Sequence, residues 1–268
     1  MIGFIGGGNM AEALIKGIAS SQGSGVRGQI KNILVSEPRG ERGKYLEQTY
    51  GVKTTQSNKD AASSCDIIIL AIKPQDMEAA LDEIAEVITE NKTVVSIAAG
   101  ITLSYLTSKI KTKKIIRVMP NTPAIIQEGI SVMSLCECFT DKDMATVREI
   151  FMSVGKVLIL PEKYMNAVTA LSGSGPAFIA FFIEAMIDAG IKMGLRFAEA
   201  NELAIQTLIG TAKLIETGMP PDKLRKMVTS PGGTTAAGLN MFVQKGFKDI
   251  VTAAIEAAVN RANELGKS

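Results

Sequence analysis

Two periods of apolar and polar residues alternate along the first 160 residues, and each change of period marks an element. Ile2-Gly3-Phe4-Ile5 is a short apolar run that leads into Gly6-Gly7-Gly8. Glu12-Ala13-Leu14-Ile15-Lys16-Gly17-Ile18 follows with apolar residues at helical spacing. This pattern predicts strand, tight turn and helix. Residues 33–36 (Ile-Leu-Val-Ser) predict a second strand and 51–54 a third, with Ser57 or Asn58 capping a short helix after it. Residues 66–72 are almost continuously apolar, as in a parallel strand covered on both faces. The same pattern recurs at 93–97 and 115–119. Residues 129–134 and 156–160 predict two more strands around a helix over 141–153.

From Pro161 onward the strand pattern stops. Helical periodicity covers 162–171, then a Gly/Ser turn, Ser172-Gly173-Ser174-Gly175, opens a long helix running through Met193. Further helices are expected over 197–217, 220–228, 234–244 and 247–265. The expected fold class is therefore α/β followed by all-α. A Rossmann-like, doubly wound, dinucleotide-binding domain covers 1–161, and a helical domain for substrate binding and dimerisation covers 162–268. Small residues along the helices (Ala185, Ala189, Gly190, Ala204, Gly210, Ala212) allow close packing, which suits an oligomer.

Composition removes several classes. The net charge is +2, so there is no electrostatic case for nucleic acid. The longest uninterrupted apolar run, 177–183, ends at Glu184, well short of the roughly 20 residues that span a bilayer. The N-terminus enters a strand directly, without a signal peptide, and three cysteines point to reduced thiols, so a cytoplasmic setting is expected. Cys136 and Cys138 form a lone C-x-C, which is a poor metal site. The chain has no histidine, which excludes Ser-His and Cys-His nucleophiles and histidine metal sites.

The chemistry is carried by two glycine-rich stretches. Gly6-x-Gly8-x-x-Ala11 fits the dinucleotide fingerprint in the strand–turn–helix context that it requires. Gly6 serves the turn, Gly8 lets a pyrophosphate approach the backbone, and Ala11 lets the helix pack on its strand. After the second strand, Ser36 and Arg39 favour a 2′-phosphate, whereas Glu37 favours ribose hydroxyls, so NADPH is expected with NADH open. Lys73 ends the fourth strand, where open α/β sheets bind ligands, and Ala98-Ala99-Gly100 leaves room for a flat ring. In the helical half, Thr229-Ser230-Pro231-Gly232-Gly233-Thr234-Thr235 precedes a helix. It can hold a carboxylate on backbone N–H groups and hydroxyls. Ser172-Gly173-Ser174-Gly175-Pro176 is expected to do the same.

The stretches GFIGGGNMAEAL, AIKPQDM, VSIAAGI, RVMPNTPA, ALSGSGPAF and TSPGGTTAAGL resemble the pyrroline-5-carboxylate reductase family along essentially the whole chain. The resemblance implies NAD(P)H-dependent reduction of 1-pyrroline-5-carboxylate to L-proline, the last step of proline synthesis, in a homodimer or larger homo-oligomer. It implies cofactor contacts at Gly6, Gly7, Gly8, Asn9, Met10, Ala11, Ser36, Asn58, Ala71, Ile72, Lys73, Pro74, Ile97, Ala98 and Ala99. It places Glu162, Thr234 and Thr235 at the substrate, beside the Ser230, Gly232 and Gly233 backbone, with Thr235 as the catalytic candidate. A cyclic imine accepts hydride well once its nitrogen is protonated or hydrogen-bonded, and without histidine a hydroxyl or a water it holds is the available donor. Two rivals remain open at this point. A β-hydroxyacid-type dehydrogenase would need a lysine motif among Lys163, Lys192 and Lys213. A non-catalytic nucleotide binder would carry a broken loop, and both loops are intact.

Overall fold

The computed structural model describes residues 1–20, 29–136 and 141–266, with the side chains of 29 and 141–143 excepted. Among the described residues eight strands build one sheet: β1 (Ile2–Ile5), β2 (Ile33–Ser36), β3 (Lys53–Thr55), β4 (Ile67–Leu70), β5 (Thr93–Ser96), β6 (Ile115–Met119), β7 (Gly129–Leu135) and β8 (Gly155–Ile159). Their order is β3-β2-β1-β4-β5-β6-β7-β8. The first six strands in chain order are mutually parallel. β7 runs antiparallel to β6, and β8 parallel to β7. Chain direction across the sheet reverses between β1 and β4, the switch point at which such sheets leave a crevice.

Helices α1 (Asn9–Ser20), α2 (Gly40–Tyr50), α3 (Asn58–Ser64), α4 (Met77–Ile84), α5 (Leu103–Lys109) and α6 (Asp141–Met152) cover both faces. Side chains alternate along each strand, so one face collects Ile2, Phe4, Val35 and Ile69 with Leu14, Ile18 and Phe151. The other collects Ile5, Ile68 and Leu70 with Leu81 and Ile84. That two-sided burial explains the unbroken apolar run of β4. Ser57 caps α3, its Oγ accepting from the Asp60 N–H at 3.1 Å.

The chain forms two compact units. The first joins Met1–Ser174 to the C-terminal segment from Ala258, and the second is Gly175–Ala257. In the first unit, 162–173 is helical without a break and includes α7 (Met165–Val168). The expected Gly/Ser turn is instead a π-helical segment, Thr169–Gly173, closed by the Ser174 N–H on the Thr169 carbonyl at 2.8 Å. Ser172 Oγ donates to the Val168 carbonyl at 3.0 Å, so a hydroxyl that reads as a turn former back-bonds inside a helix.

The second unit holds α8 (Gly175–Lys192), α9 (Phe197–Glu216), α10 (Pro221–Met227), α11 (Thr234–Gln244) and the start of α12 (Phe247–Leu265). Phe181, Val243 and Met193 are 73%, 78% and 81% exposed there, which leaves broad apolar faces open in a single chain.

One expectation, that of reduced thiols, is corrected. Helical residues Glu162–Lys192 reach a mean hydropathy of 1.5 over 18 residues, which matches a membrane span by length and composition only and does not overturn the absence of a membrane partner. A search for uninterrupted apolar residues misses this stretch because Glu184 and Asp188 interrupt it. Cys65 is a free, buried thiol, but Cys136 is disulfide-bonded, which a parity argument on three cysteines does not reveal. Cys138 lies outside the described residues.

Candidate functional site

The three glycines after β1 have three different surroundings. Gly6 is left-handed (φ 95°), and a Cβ there would lie 2.7 Å from the Ala71 carbonyl oxygen. A Cβ on Gly7 would lie 2.9 Å from Leu46 Cδ1 and 3.0 Å from Glu37 Oε2. A Cβ on Gly8 would meet no heavy atom within 4 Å. Gly6 is thus required by the backbone packed against it and Gly7 is crowded by side chains, whereas the space over Gly8 is free for something else. Ala11 is fully buried, as the packing of α1 on the sheet demands.

Charged side chains from β2 and α2 hold this turn on both sides. Glu37 Oε2 accepts from the Gly7 N–H at 3.0 Å and from Arg39 Nη2 at 3.0 Å. Its Oε1 accepts from the Arg39 N–H at 3.0 Å and Arg39 Nε at 2.8 Å. Burial pushes the Glu37 carboxyl up, but these donors outweigh it and hold the group below the usual carboxylate range. On the opposite side Arg42 Nε donates to the Gly7 carbonyl at 2.7 Å and Arg42 Nη2 to Glu12 Oε2 at 2.5 Å. Glu12 Oε1 also accepts from Tyr45 and Tyr50 at 2.9 and 2.8 Å. Glu12 too lies below its usual range, burial being outweighed by Arg42 and the two phenols. Burial and the Glu12 charge push Tyr50 up to about 12.

Beside this turn a cleft of about 660 Å³ opens at the carboxyl ends of β1, β4, β5 and β6. That volume is in the range of small-molecule sites. Among the residues expected at a cofactor, Gly8, Asn9, Met10, Arg39, Ala71, Ile72, Lys73 and Ile97 line it. Gly6, Gly7 and Ala11 do not line it. Ser36 is buried with Oγ donating to Asn58 Oδ1 at 2.7 Å, and Asn58 Nδ2 donates to Glu83 at 2.6 Å. Pro74, Ala98 and Ala99 flank the cleft in sequence and do not line it.

Sequence reasoning missed six lining residues: Arg42, Met119, Pro120, Asn121, Thr122 and Gly173. Met119 ends β6 and three more follow it, where the carboxyl-end rule applied strand by strand finds them. Arg42 lies one helical turn beyond Arg39. Gly173 sits in the π-helical segment, and a Cβ on it would come within 2.6 Å of Met119 Cε. Asn121 Oδ1 accepts from the Ile130 N–H at 2.9 Å, which holds this loop to β7.

Glu162 has a structural role in the first unit. Its Oε1 accepts from the Leu103 N–H at 2.7 Å, at the start of α5, and from Arg117 Nη1 at 3.1 Å. Arg117 is 5% exposed and Glu162 31%.

In the second unit, Gly232 turns the Ser230–Thr235 loop with φ 69° and Gly233 is the N-cap of α11. The first helical hydrogen bond is Ala237 N–H to the Gly233 carbonyl at 3.1 Å. The N–H groups of Thr234, Thr235 and Ala236 precede it, and helix geometry gives them no acceptor. Thr235 is half-buried. The loop therefore presents backbone donors and a hydroxyl to an anion. The Ser172–Pro176 stretch does not, because its backbone is already helical. Among the described residues no cluster of ligands could hold a metal ion.

Comparison with known proteins identifies the family. The model of pyrroline-5-carboxylate reductase dimerisation matches residues 162–265. That of NADP oxidoreductase, coenzyme F420-dependent, matches residues 1–100. The chain is 40% identical to a pyrroline-5-carboxylate reductase of Synechocystis sp., covering 99% of this chain and 98% of the relative. It is similar to the solved structure of a pyrroline-5-carboxylate reductase from Coxiella burnetii, with a TM-score of 0.90 and 33% identity over 100% and 98% of the two chains. It is also similar to the Plasmodium falciparum pyrroline carboxylate reductase solved with NADP bound, with a TM-score of 0.87 and 32% identity over 99% and 97%.

Proposed function

The chain belongs to the pyrroline-5-carboxylate reductase family, and we propose from that premise how its own residues carry out the NAD(P)H-dependent reduction of 1-pyrroline-5-carboxylate to L-proline. The observation that carries the cofactor assignment is the free space over Gly8, after two glycines whose own space the protein fills. A pyrophosphate fits where a Cβ would find no protein atom, against the N-terminus of α1. Asn9, Met10 and the cations Arg39, Arg42 and Lys73 surround that place. Ser36, Asn58 and Pro74, with Ala71, Ile72, Ile97, Ala98 and Ala99, complete the cofactor side.

The bound nicotinamide supplies the hydride. The protein's part is to orient the ring, hold the carboxylate and stabilise the imine nitrogen. On this reading Ser230, Gly232, Gly233, Thr234 and Thr235 of the second unit form the substrate side. The N–H groups at the start of α11 receive the carboxylate, and the Thr235 hydroxyl, or a water it holds, donates to the ring nitrogen. Such acid assistance is typically worth about 10²–10⁴-fold.

The enzyme is a homo-oligomer, and the exposed apolar faces of α8, α9, α11 and α12 are the surface that a second copy covers. It works in the cytoplasm on this reading. Expression in a bacterium that lacks its own pyrroline-5-carboxylate reductase should restore growth without proline. Failure to grow with soluble protein present contradicts the assignment.

A further inference from the structure

The acid after β2 is the residue that usually accepts hydrogen bonds from the adenosine ribose. Here Glu37 has no capacity left for that role. A carboxylate offers about four lone-pair sites. Each oxygen of Glu37 already takes two donors: the Arg39 N–H and Nε on Oε1, and the Gly7 N–H and Arg39 Nη2 on Oε2. The side chain is 3% exposed, so a nucleotide could reach it only by breaking these contacts.

Arg39 is the reverse case. Its side chain is 68% exposed and lines the cleft beside Gly8. Two of its five N–H donors are spent on Glu37, and three remain. The neighbouring Arg42 is committed to the Gly7 carbonyl and Glu12. Lys73 stands at the end of β4, across the switch point from β2.

We propose that Glu37 and Arg39 form one cofactor-discriminating element, in which Glu37 is a positioning residue that fixes the guanidinium and Arg39 binds a phosphate on the adenosine ribose. The inference rests on the dinucleotide reading of the cleft and deepens it, since it selects NADPH over NADH. It also reverses the expected effect of the acid. A ribose-binding glutamate repels a 2′-phosphate, whereas this one is neutralised by Arg39 and aims it. The grip on the Gly7 N–H ties the same element to the glycine turn, so orientation of the guanidinium and of the turn are set together.

The test is calorimetric titration of the full chain, without substrate, with adenosine 2′,5′-bisphosphate and with adenosine 5′-monophosphate. The parent should prefer the bisphosphate. Arg39→Ala should weaken the bisphosphate about 10-fold, as expected for loss of a charged hydrogen-bond donor, and leave the monophosphate unchanged. Glu37→Gln should also weaken the bisphosphate and not the monophosphate. A merely structural role would move both nucleotides together. Equal binding of the two nucleotides by the parent overturns the inference, as does tighter bisphosphate binding or weaker monophosphate binding in Glu37→Gln. Should Glu37→Gln not fold, Arg39→Ala decides alone, because the Arg39 side chain is exposed. A parent that binds neither nucleotide overturns the dinucleotide site itself, a result distinct from lost discrimination.

Discussion

Gly8→Ala separates binding from folding, and the expected size of each effect follows from the local geometry. Gly8 is not among the left-handed glycines, and its Cβ would touch nothing within 4 Å. The fold should therefore accept alanine. Reduced freedom of the unfolded chain even favours it by about 0.4–1 kcal/mol, worth about 1–4 °C in Tm for a chain of this size class. The same methyl occupies the space assigned to the pyrophosphate. Losing two charge-assisted bonds from backbone donors costs about 3–6 kcal/mol, or more than about 100-fold in Kd. Gly6→Ala is the control. Its φ of 95° and the 2.7 Å approach to the Ala71 carbonyl demand both left-handed strain and displacement of backbone. Together these cost about 2–5 kcal/mol in stability. Thermal unfolding and nicotinamide fluorescence titration, run on both variants, give four readings. Parent-like NADPH affinity in Gly8→Ala refutes the assignment of the space over Gly8. A parent-like Tm in Gly6→Ala refutes the packing argument for the turn.

Three further outcomes follow from other contacts. Glu12 has a carboxyl depressed in the folded state, so its stabilisation is present above the unfolded value of about 4.3 and is lost as pH falls through the lower folded value. Glu12→Gln should cost about 1–2 kcal/mol at neutral pH, with the Tm gap to the parent closing below that range; a gap independent of pH contradicts the ionised role. Glu162→Ala strips Arg117 of its carboxylate partner and should cost about 3 kcal/mol by denaturant titration, the low end for a broken buried pair because Glu162 is partly exposed. A loss under about 1 kcal/mol shows the pair to be solvent-screened. Thr235→Ala should lower kcat about 10-fold or more, roughly 1.4 kcal/mol, with a smaller change in proline binding, and Thr235→Ser should recover much of the rate. Unchanged turnover in the alanine variant leaves Thr235 as part of the first turn of α11 only.

The strands were legible because two-sided burial writes itself as unbroken apolar runs, as at β4, and because glycine and small polar residues punctuate them. The fingerprint was legible because its three glycines and Ala11 stand at fixed spacing. What pattern could not show was where side chains bond. Glu37 reads as a ribose acceptor until its four donors are seen. Arg42 carries no motif, because its partners Gly7 and Glu12 lie 35 and 30 residues away in sequence. Ser172-Gly173-Ser174-Gly175 has turn composition, yet serine back-bonding and a π-helical step keep it helical. Glu162 was located through family resemblance as a substrate contact, and its bonds to Leu103 and Arg117 were invisible for the same reason of distance along the chain.

The central claim is that this chain reduces a cyclic imino acid with a reduced nicotinamide. Steady-state assay of the purified chain with 1-pyrroline-5-carboxylate and NADPH tests it most directly, following loss of nicotinamide absorbance together with L-proline by amino-acid analysis. The account predicts saturable turnover with one proline formed per nicotinamide oxidised. Nucleotide binding without proline formation contradicts it.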